Sequence, residues 1–338
     1  DSRHAACLEE LRLNRRLAPD IYQAVCAITG SVEAPDIDGA GPVIDWAVRM
    51  QRFDPDAILS NRTEGLSSGL IERLALRIAE FHARAAVSPI GEPFGTAAAV
   101  FAPMQQTFDQ IRVSLPAETA GLDQIETWSK DQRDRLAELL DERKAGGHIR
   151  ECHGDLHLGN VALIAGEPVV FDAIEFNPGL RWIDTINDVA FLSMDLHHRR
   201  PSLVYCLLDH YLQASGDYPG LPLLRFYEVY RALVRTKIAA IRATQALTRA
   251  QRQEVMDEFN AYLGLAHRLT QPAQGAVIIT HGVSGSGKSH VVRRLPELLP
   301  AVRLRSDVER KRQLGLDVRM NRSEFDSQLE RQQVRLQQ

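Results

Sequence analysis

The chain has 338 residues, 44% of them hydrophobic, and a formal net charge of -4 at pH 7, which predicts a globular protein with room for two domains. The negative net charge argues against a nucleic-acid partner, because such binding relies on a positive field. No apolar stretch approaches the roughly 18 to 20 residues of a membrane helix and the first residues lack a signal-peptide pattern, so we expect no membrane partner and a cytoplasmic protein.

The first predicted element is a helix over residues 7–17, because leucines recur there at helical spacing and Pro19 follows. Apolar side chains then alternate along residues 43–50 and predict a strand with one apolar face. Residues 51–55 form a short predicted connector. A strand that leads through a connector into a helical region is the outline of a kinase hinge.

Helical spacing returns at Ser67, and Ser67 and Ser68 are the possible caps of a long predicted helix. The apolar face of this helix consists of Leu70, Ile71, Leu74, Ile78, Ala79 and Phe81. Further helices are predicted around residues 127–143, 201–214 and 224–246. Residues 146–176 have strand and loop patterns instead, and they contain the first group of polar residues that suggests chemistry.

Asp155 and Asn160 lie five residues apart in the segment HGDLHLGN, residues 153–160. In phosphoryl transfer, an Asp at this spacing accepts the proton of the attacking hydroxyl and the Asn holds a magnesium ion. Asp172 follows a predicted hairpin, with strands at residues 161–164 and 169–171 and a turn at residues 165–168. Because Asn160 and Asp172 are equidistant from Gly166, we expect them side by side as ligands of one magnesium ion.

The segment HGDLHLGN, followed by VFDAIEF at residues 170–176, resembles the catalytic and metal-binding motifs of the aminoglycoside phosphotransferase family. The resemblance extends from about residue 7 to residue 246 and implies a protein-kinase-like fold. It further implies Asp155 as the base, Asn160 and Asp172 as metal ligands, and Asp188 as a brace for the catalytic loop. The chain is also similar to bacterial two-part proteins that join such a domain to a P-loop kinase domain.

These residues also have structural interpretations. An isolated Asp or Asn in a turn is usually a cap or turn former, and we expect His153 to orient the loop and His157 to be a plain loop residue. A kinase lysine that contacts nucleotide phosphates is absent before Lys130, although Glu9 and Glu10 are candidates for the glutamate that holds it. We expect N-lobe strands with this lysine to precede the chain, and a degenerate, inactive kinase is the alternative.

A glycine-rich motif, GVSGSGKS at residues 282–289, fits the P-loop pattern between a predicted strand at 276–280 and a predicted helix at 291–299. In such loops backbone N–H groups turn toward phosphates, Lys288 reaches the β- and γ-phosphates, and Ser289 ligates magnesium. The alternative is a glycine-rich turn without a ligand. The predicted nucleotide-binding residues are Gly282, Gly285, Ser286, Gly287, Lys288 and Ser289.

Residues 301–305 are predicted to form a second strand, and the segment after it resembles P-loop small-molecule kinases of the gluconate kinase and zeta-toxin type. By that resemblance Asp307 is a second catalytic residue that meets the acceptor hydroxyl, and Arg310 contacts phosphate or substrate. A helix-capping role for Asp307 is the alternative. Because a P-loop kinase domain needs roughly 100 residues or more, we expect a segment between about residues 316 and 321 to be left out.

These patterns predict an α+β protein-kinase-like domain at residues 1–270 and an α/β P-loop NTPase domain at residues 275–338. The preferred function is ATP- and Mg2+-dependent phosphoryl transfer to a small-molecule hydroxyl, with a second nucleotide site at the P-loop. The alternatives are a nucleotide-sensing regulatory protein with an inactive kinase-like half, and a tandem enzyme whose P-loop half carries the main chemistry. Oligomeric state and acceptor stay open. Acidic residues such as Glu175, Asp184 and Asp195 would favour a cationic acceptor. The alternative is that these residues lie on a solvated surface.

Overall fold

The structure, a computed structural model, describes residues 2–89, 91–272, 275–283 and 286–316. Its helices are α1 (Ser2–Asn14), α2 (Ser68–Arg84), α3 (Ala97–Ser114), α4 (Leu122–Ala145), α5 (Pro178–Arg181), α6 (Thr185–Arg199), α7 (Val204–Ser215), α8 (Leu221–Ala243), α9 (Arg249–Thr270), α10 (Lys288–Arg293), α11 (Leu295–Leu298) and α12 (Ser306–Gln313). Its strands are β1 (Tyr22–Gly30), β2 (Pro35–Ile37), β3 (Val43–Met50), β4 (Ile149–Glu151), β5 (Val161–Ile164), β6 (Glu167–Val170) and β7 (Trp182–Asp184). A small antiparallel sheet thus precedes a large helical region.

The N-terminal sheet has the strand order β2-β1-β3, and each pairing is antiparallel. The strand predicted over residues 43–50 is confirmed as β3. Helix α1 packs against this strand, where the ring of His4 stacks on that of Trp46 with centroids 3.7 Å apart. The predicted apolar face of β3 is only partly covered, since Ile44 is 42% exposed and Met50 is 39% exposed.

Helix α1 ends at Asn14, three residues before the predicted end at residue 17. Beyond it the backbone N–H groups of Leu17 and Ala18 both donate to the carbonyl oxygen of Asn14, which turns the chain toward β1. Both of these apolar residues are buried in the turn. Pro19 then lacks the N–H that a continuing helix would need.

The helical core forms around α2, α6, α7, α8 and α9. The Oγ of Ser67 accepts a hydrogen bond of 3.2 Å from the backbone N–H of Leu70, which confirms Ser67 as the N-cap of α2. The apolar face predicted for α2 is buried, and α2 packs against α7 while α8 packs against α6 and α9. Among the residues that the structure describes, no helix is long and apolar enough to cross a membrane.

The strands predicted at residues 276–280 and 301–305 are wrong for this structure, because neither segment has strand pairing. Val277 is 89% exposed and Ile279 is 84% exposed. A strand is stable only when a neighbour satisfies its N–H and C=O groups, and the described ranges supply none here. The predicted helix at 291–299 begins earlier, as α10, and is broken before α11.

The last described residues pack on helix α7. Arg303 donates from its backbone N–H and its Nε to the carboxylate of Asp209, at 2.7 and 2.8 Å. Arg312 donates from Nη2 to the carbonyl oxygen of Gln213 at 2.8 Å. Val302 contacts the helical core. The segment after the P-loop is therefore fixed to the kinase-like region by two arginine side chains and an apolar one.

Candidate active site

The catalytic loop, residues 153–160, follows β4 and makes a turn at Gly154. Gly154 has a φ of +87°, and a Cβ at this position would lie 2.7 Å from the carbonyl oxygen of Leu180. Glycine alone avoids both conflicts. The neighbouring His153 is buried, with Nε2 hydrogen-bonded to the carbonyl oxygen of Phe171 at 2.9 Å. Its Nδ1 accepts from the N–H of Asp155, so His153 orients the loop, as we expected.

Asp188, at the start of α6, anchors the beginning of this loop. Its carboxylate accepts from the backbone N–H groups of His153 and Gly154 at 3.0 and 2.9 Å, and it bonds Nε2 of His82 at 3.1 Å. Burial raises its pKa, but these bonds and the nearby histidines outweigh burial and lower the pKa to about 2. An ionised Asp188 therefore braces the loop, which is the role that the family resemblance implies.

Asp155 carries the carboxylate that the sequence indicates as the base. Nδ2 of Asn160 donates to its Oδ2 at 2.9 Å and to its carbonyl oxygen at 3.0 Å. Its side chain is 35% exposed, so a substrate can reach it. Burial raises the pKa of Asp155, but the hydrogen bond and charge of His157, with the charges of His153 and Arg231, keep it below the usual value. The carboxylate is thus held ionised, as a proton acceptor requires.

His157 is a site residue that the sequence analysis missed. Its Nδ1 accepts from the N–H of Gly159 at 3.0 Å, so its Nε2 carries the proton and donates toward Oδ2 of Asp155 at 3.3 Å. The position of His157 between Asp155 and Asn160 was the available signal. A histidine two residues from a carboxylate on a tight loop is within reach of it.

The hairpin that carries the predicted metal ligands has a register different from the expected one. Val161 pairs with Val170 across a two-residue turn, Ala165 and Gly166, so residues 167 and 168 belong to β6 rather than to the turn. Asn160 therefore lies opposite Phe171, whose N–H donates to its carbonyl oxygen at 3.0 Å. The predicted position of Asp172 directly opposite Asn160 is wrong by one residue.

Asp172 nevertheless remains in the same corner as the catalytic loop. It has a φ of +66°, a left-handed conformation that is uncommon outside glycine and recurs at functional sites. Its N–H donates to Oη of Tyr22 at 3.1 Å, and the next N–H, of Ala173, donates to Oδ1 of Asn14 at 2.8 Å. Strand β1 and helix α1 thus hold Asp172 in place, and its role as a metal ligand stays a prediction.

The structure separates the two candidates for the kinase glutamate. Glu9 bonds the guanidinium groups of Arg12 and Arg181 and is engaged in this ion-pair cluster. Burial, followed by the negative charges of Glu175 and Asp172, raises the pKa of Glu10. Glu10 therefore lies in a field of negative charge, and its role as the kinase glutamate stays a prediction.

Two acidic residues considered for a cationic acceptor are buried in the fold. Asp184 accepts two hydrogen bonds from Arg143, at 2.6 and 2.8 Å. Asp195 accepts from the N–H of Leu158 at 2.9 Å and is paired with Arg199. Neither the proposed contact with a cation nor the alternative of a solvated surface is correct for them. Their charges are used to hold α4 on β7 and the catalytic loop on α6.

The P-loop residues Gly282, Ser286, Gly287, Lys288 and Ser289 are described, whereas Gly285 lies outside the described residues. Nζ of Lys288 donates to the carbonyl oxygens of Gly282 and Val283, both at 2.6 Å. Gly287 has a φ of +82° and is the N-cap of α10, so Lys288 and Ser289 begin that helix. The carbonyl oxygens of Gly282 and Val283 thus hold the lysine ammonium group.

Asp307 lies in the first turn of α12, where its carboxylate accepts from Nη2 of Arg305 at 2.8 Å. Burial raises its pKa, but the hydrogen bond and charge of Arg305 and the N–H groups of the helix start lower it overall. The N-cap of α12 is Arg305, so the alternative of a helix-capping role for Asp307 is not confirmed, although its charge in the first turn is favourable for the helix dipole. Its predicted contact with an acceptor stays a prediction.

Comparison with known sequences identifies two matching regions. Residues 1–225 match the family described as "Phosphotransferase enzyme family". Residues 277–338 match the family described as "AAA domain", in agreement with the predicted P-loop region. Both agree with the predicted order of a kinase-like domain followed by a P-loop domain.

Two mycobacterial proteins have similar sequences over most of the chain. "Uncharacterized protein Rv2004c" of Mycobacterium tuberculosis is 30% identical over 326 residues, which cover 92% of this chain and 61% of the relative. "Uncharacterized protein Mb2027c" of Mycobacterium bovis gives the same values. The chain thus spans about three fifths of the length of the curated relatives it matches.

Solved structures with a similar chain course include kinases. An ethanolamine kinase of Plasmodium vivax has a TM-score of 0.46 at 10% identity, covering 77% of this chain and 71% of its own. A GDP and kanamycin complex of APH(2")-IIia has a TM-score of 0.42 at 12% identity, covering 80% of this chain and 84% of its own. Because the family match covers residues 1–225, well over half of the chain, the protein belongs to the phosphotransferase enzyme family.

Proposed function

We propose that this chain transfers the γ-phosphoryl group of ATP to a hydroxyl group of a small molecule. The observation that carries the proposal is the ionised, accessible carboxylate of Asp155 on a loop that Asp188 braces through two backbone N–H groups. Asp155 accepts the hydroxyl proton while the acceptor oxygen bonds the γ-phosphorus and the bond from that phosphorus to the departing ADP oxygen breaks.

The corner beside Asp155 has the donor set that a magnesium ion prefers. Asn160 uses its Nδ2 to bond Asp155, which leaves its Oδ1 as an oxygen donor. Asp172 lies in the same corner, because it directly follows Phe171, whose N–H bonds the carbonyl oxygen of Asn160. Magnesium ions bind carboxylate and carboxamide oxygens, and a bound ion would neutralise charge on the transferring phosphate. We therefore propose Asn160 and Asp172 as its ligands.

We further propose that the P-loop residues bind a second nucleotide. The backbone around Lys288 already encloses a charged group, and exchange of its two carbonyl contacts for phosphate oxygens would free the ammonium group for the β- and γ-phosphates. Ser289, at the start of α10, would supply a hydroxyl ligand for magnesium. The nucleotide sensor and the tandem enzyme remain the rival proposals for this half.

Paired substitutions distinguish these functions. Asp155→Asn removes the proton acceptor and keeps the side-chain shape, so acceptor-dependent ADP release should fall by about 10²–10⁴-fold. Lys288→Ala removes a charge from the other half and should leave that release unchanged. The measurement is ADP release by the purified chain across a panel of hydroxyl compounds.

The wild type and the two variants can also give results that contradict the proposed function. Loss of release in Lys288→Ala with full activity in Asp155→Asn would transfer the chemistry to the P-loop half. Absence of release in the wild type, with nucleotide binding that Lys288→Ala abolishes, would favour the sensor. Nucleotide binding that Lys288→Ala leaves intact, at one nucleotide per chain, would contradict the second site.

A further inference from the structure

A cavity of about 270 Å³ lies beside the catalytic loop. Phe94 and Trp182 line it with nearly parallel rings, 6.1 Å between centroids and 12° between planes. Leu180 also lines it, and the carbonyl oxygen of Leu180 is the atom that packs closely against Gly154. The cavity therefore shares a wall with the residue that directly precedes Asp155.

Arg231 supplies the positive charge of this wall. It is buried, with a relative exposure of 5%, and it lines the cavity. Nε donates to Oδ1 of Asn187 at 2.8 Å and Nη1 donates to the carbonyl oxygen of Gly154 at 3.1 Å. The guanidinium carbon lies 4.7 Å from the ring centroid of Phe191. Each of these partners is uncharged.

Other buried arginines in this region form ion pairs with carboxylates. Arg143 is paired with Asp184 and Asp217, and Arg181 is paired with Glu9 and Glu151. Asp184 is the acidic residue among those that line the cavity, and its carboxylate is already paired with Arg143. Within the part of the chain that the structure describes, Arg231 has no carboxylate at ion-pair distance. The Asp155 carboxylate interacts electrostatically with Arg231 from beyond ion-pair distance. A buried charge without a directly paired carboxylate is costly, and an anion in the cavity would offset that cost.

We propose that this cavity binds the phosphate acceptor and that the acceptor is an anion. The ligand class is a small hydroxylated compound with a carboxylate or phosphate group, which pairs with Arg231 while a ring or apolar face packs on Phe94 and Trp182. The inference rests on the proposed function. It replaces the cationic acceptor considered from the sequence, because Asp184 and Asp195 are paired with arginines, Glu175 is not among the residues that line the cavity, and the buried charge next to the loop is positive.

The test uses four pyranoses that differ in charge: glucuronate, glucose 6-phosphate, glucose and glucosamine. Calorimetric titration of the full chain without nucleotide should show that at least one anion binds, at least about 30-fold more tightly than glucose or glucosamine. Preference for glucuronate or glucose 6-phosphate identifies carboxylate or phosphate as the recognised group. Binding of neither anion below about 10 mM overturns the proposal, as does equal or tighter binding of glucose or glucosamine.

Three variants connect the preference to Arg231. Arg231→Gln should weaken the anion by at least about 30-fold and leave glucose unchanged. Arg231→Lys should restore most of the affinity, which a purely structural role in holding Gly154 would not predict. Arg242→Gln removes an exposed charge near the C-terminal end of the same helix, where Arg242 pairs with Glu258, and is the matched control. Equal anion binding by Arg231→Gln and the wild type overturns the proposal.

Failure of the proposed function is separable from failure of this inference. The titrations contain no nucleotide, so they report on the cavity whether or not phosphate is transferred. Charge-selective binding without ADP release would reject the kinase and keep an anion site. ADP release with a cationic or neutral acceptor, and no anion selectivity, would keep the kinase and reject the anion site.

Discussion

Asp188 and Glu228 are both fully buried carboxyl groups, yet their pKa values lie at about 2 and about 7. The carboxylate of Asp188 accepts hydrogen bonds from two backbone N–H groups and bonds His82, and these contacts stabilise its negative charge. The carboxyl group of Glu228 accepts a hydrogen bond from Ser193, and the effect of burial dominates its pKa. The number of donors that face each group therefore decides which acid is ionised at neutral pH.

The raised pKa of Glu228 has a consequence for stability. The folded protein keeps the proton up to about pH 7, whereas the unfolded chain releases it above about pH 4.5. This contribution to stability is fully present below about pH 4.5 and is lost as the pH rises to about 7. The free energy of unfolding of the wild type should therefore fall, relative to that of Glu228→Gln, by on the order of 3 kcal/mol over this interval.

Urea unfolding of both proteins across this pH range measures the difference. The groups that face Glu228 are Ser193, His197, Tyr205 and Arg225. Burial lowers the pKa of His197 to about 4, so its contribution has the opposite sign, and comparison with the variant at each pH largely removes it. Parallel stability curves for the two proteins would contradict the assignment.

At the scale of elements, the hairpin of β5 and β6 positions both predicted metal ligands. Its turn residues Ala165 and Gly166 have φ values of +49° and +83°. Positive φ at both positions is what a type I′ turn requires, and this turn favours Asn followed by Gly. Ala165 is therefore strained, because a Cβ disfavours the left-handed conformation.

Ala165→Asn should relieve this strain and raise the free energy of unfolding by about 1 kcal/mol. Gly166→Ala is the matched control and should lower it by a similar amount, since it places a Cβ in the same type of conformation. Chemical denaturation of the two variants and the wild type measures both effects. A destabilised Ala165→Asn would show that the turn is not of this type.

At the scale of the whole molecule, helix α7 links the segment after the P-loop to the catalytic loop. Asp209 on α7 is buried, and its carboxylate forms an ion pair with Arg303. Two residues later, Oη of Tyr211 bonds Nδ1 of His82, whose Nε2 bonds Asp188. One helix thus contacts both the docked segment and the hydrogen bonds that brace the loop.

Arg303→Met should loosen this docking, because it leaves the buried Asp209 carboxylate without its cation, a loss typically worth about 3–5 kcal/mol. Amide hydrogen exchange should accelerate in α12 and at the C-terminal end of α7. Arg305→Met is the control, since its pair with Asp307 is solvent-exposed and should contribute less than about 1 kcal/mol. Equal exchange in the two variants would mean that the Arg303 pair does not hold the segment.

The sequence by itself determined the features that depend on neighbouring residues. Helix α2 and its cap at Ser67 follow from apolar spacing and a local hydrogen bond. The spacing of Asp155 and Asn160 in one loop was sufficient to bring them into contact. Helical period and short loops act within a few residues, and a linear sequence contains that information.

Tertiary structure alone decided the features that depend on distant partners. The turn at Ala165 shifted Asp172 by one residue, packing placed Glu9 in an ion-pair cluster with Arg12 and Arg181, and burial removed Asp184 from the surface. Within the described ranges, the strand predicted at 276–280 lacks the partner that a ladder needs. Arg231 is 76 residues from Asp155 in the chain, and no sequence pattern around it predicts a binding role. That role is inferred from its place in the cavity wall and from the absence of a carboxylate at ion-pair distance among the described residues.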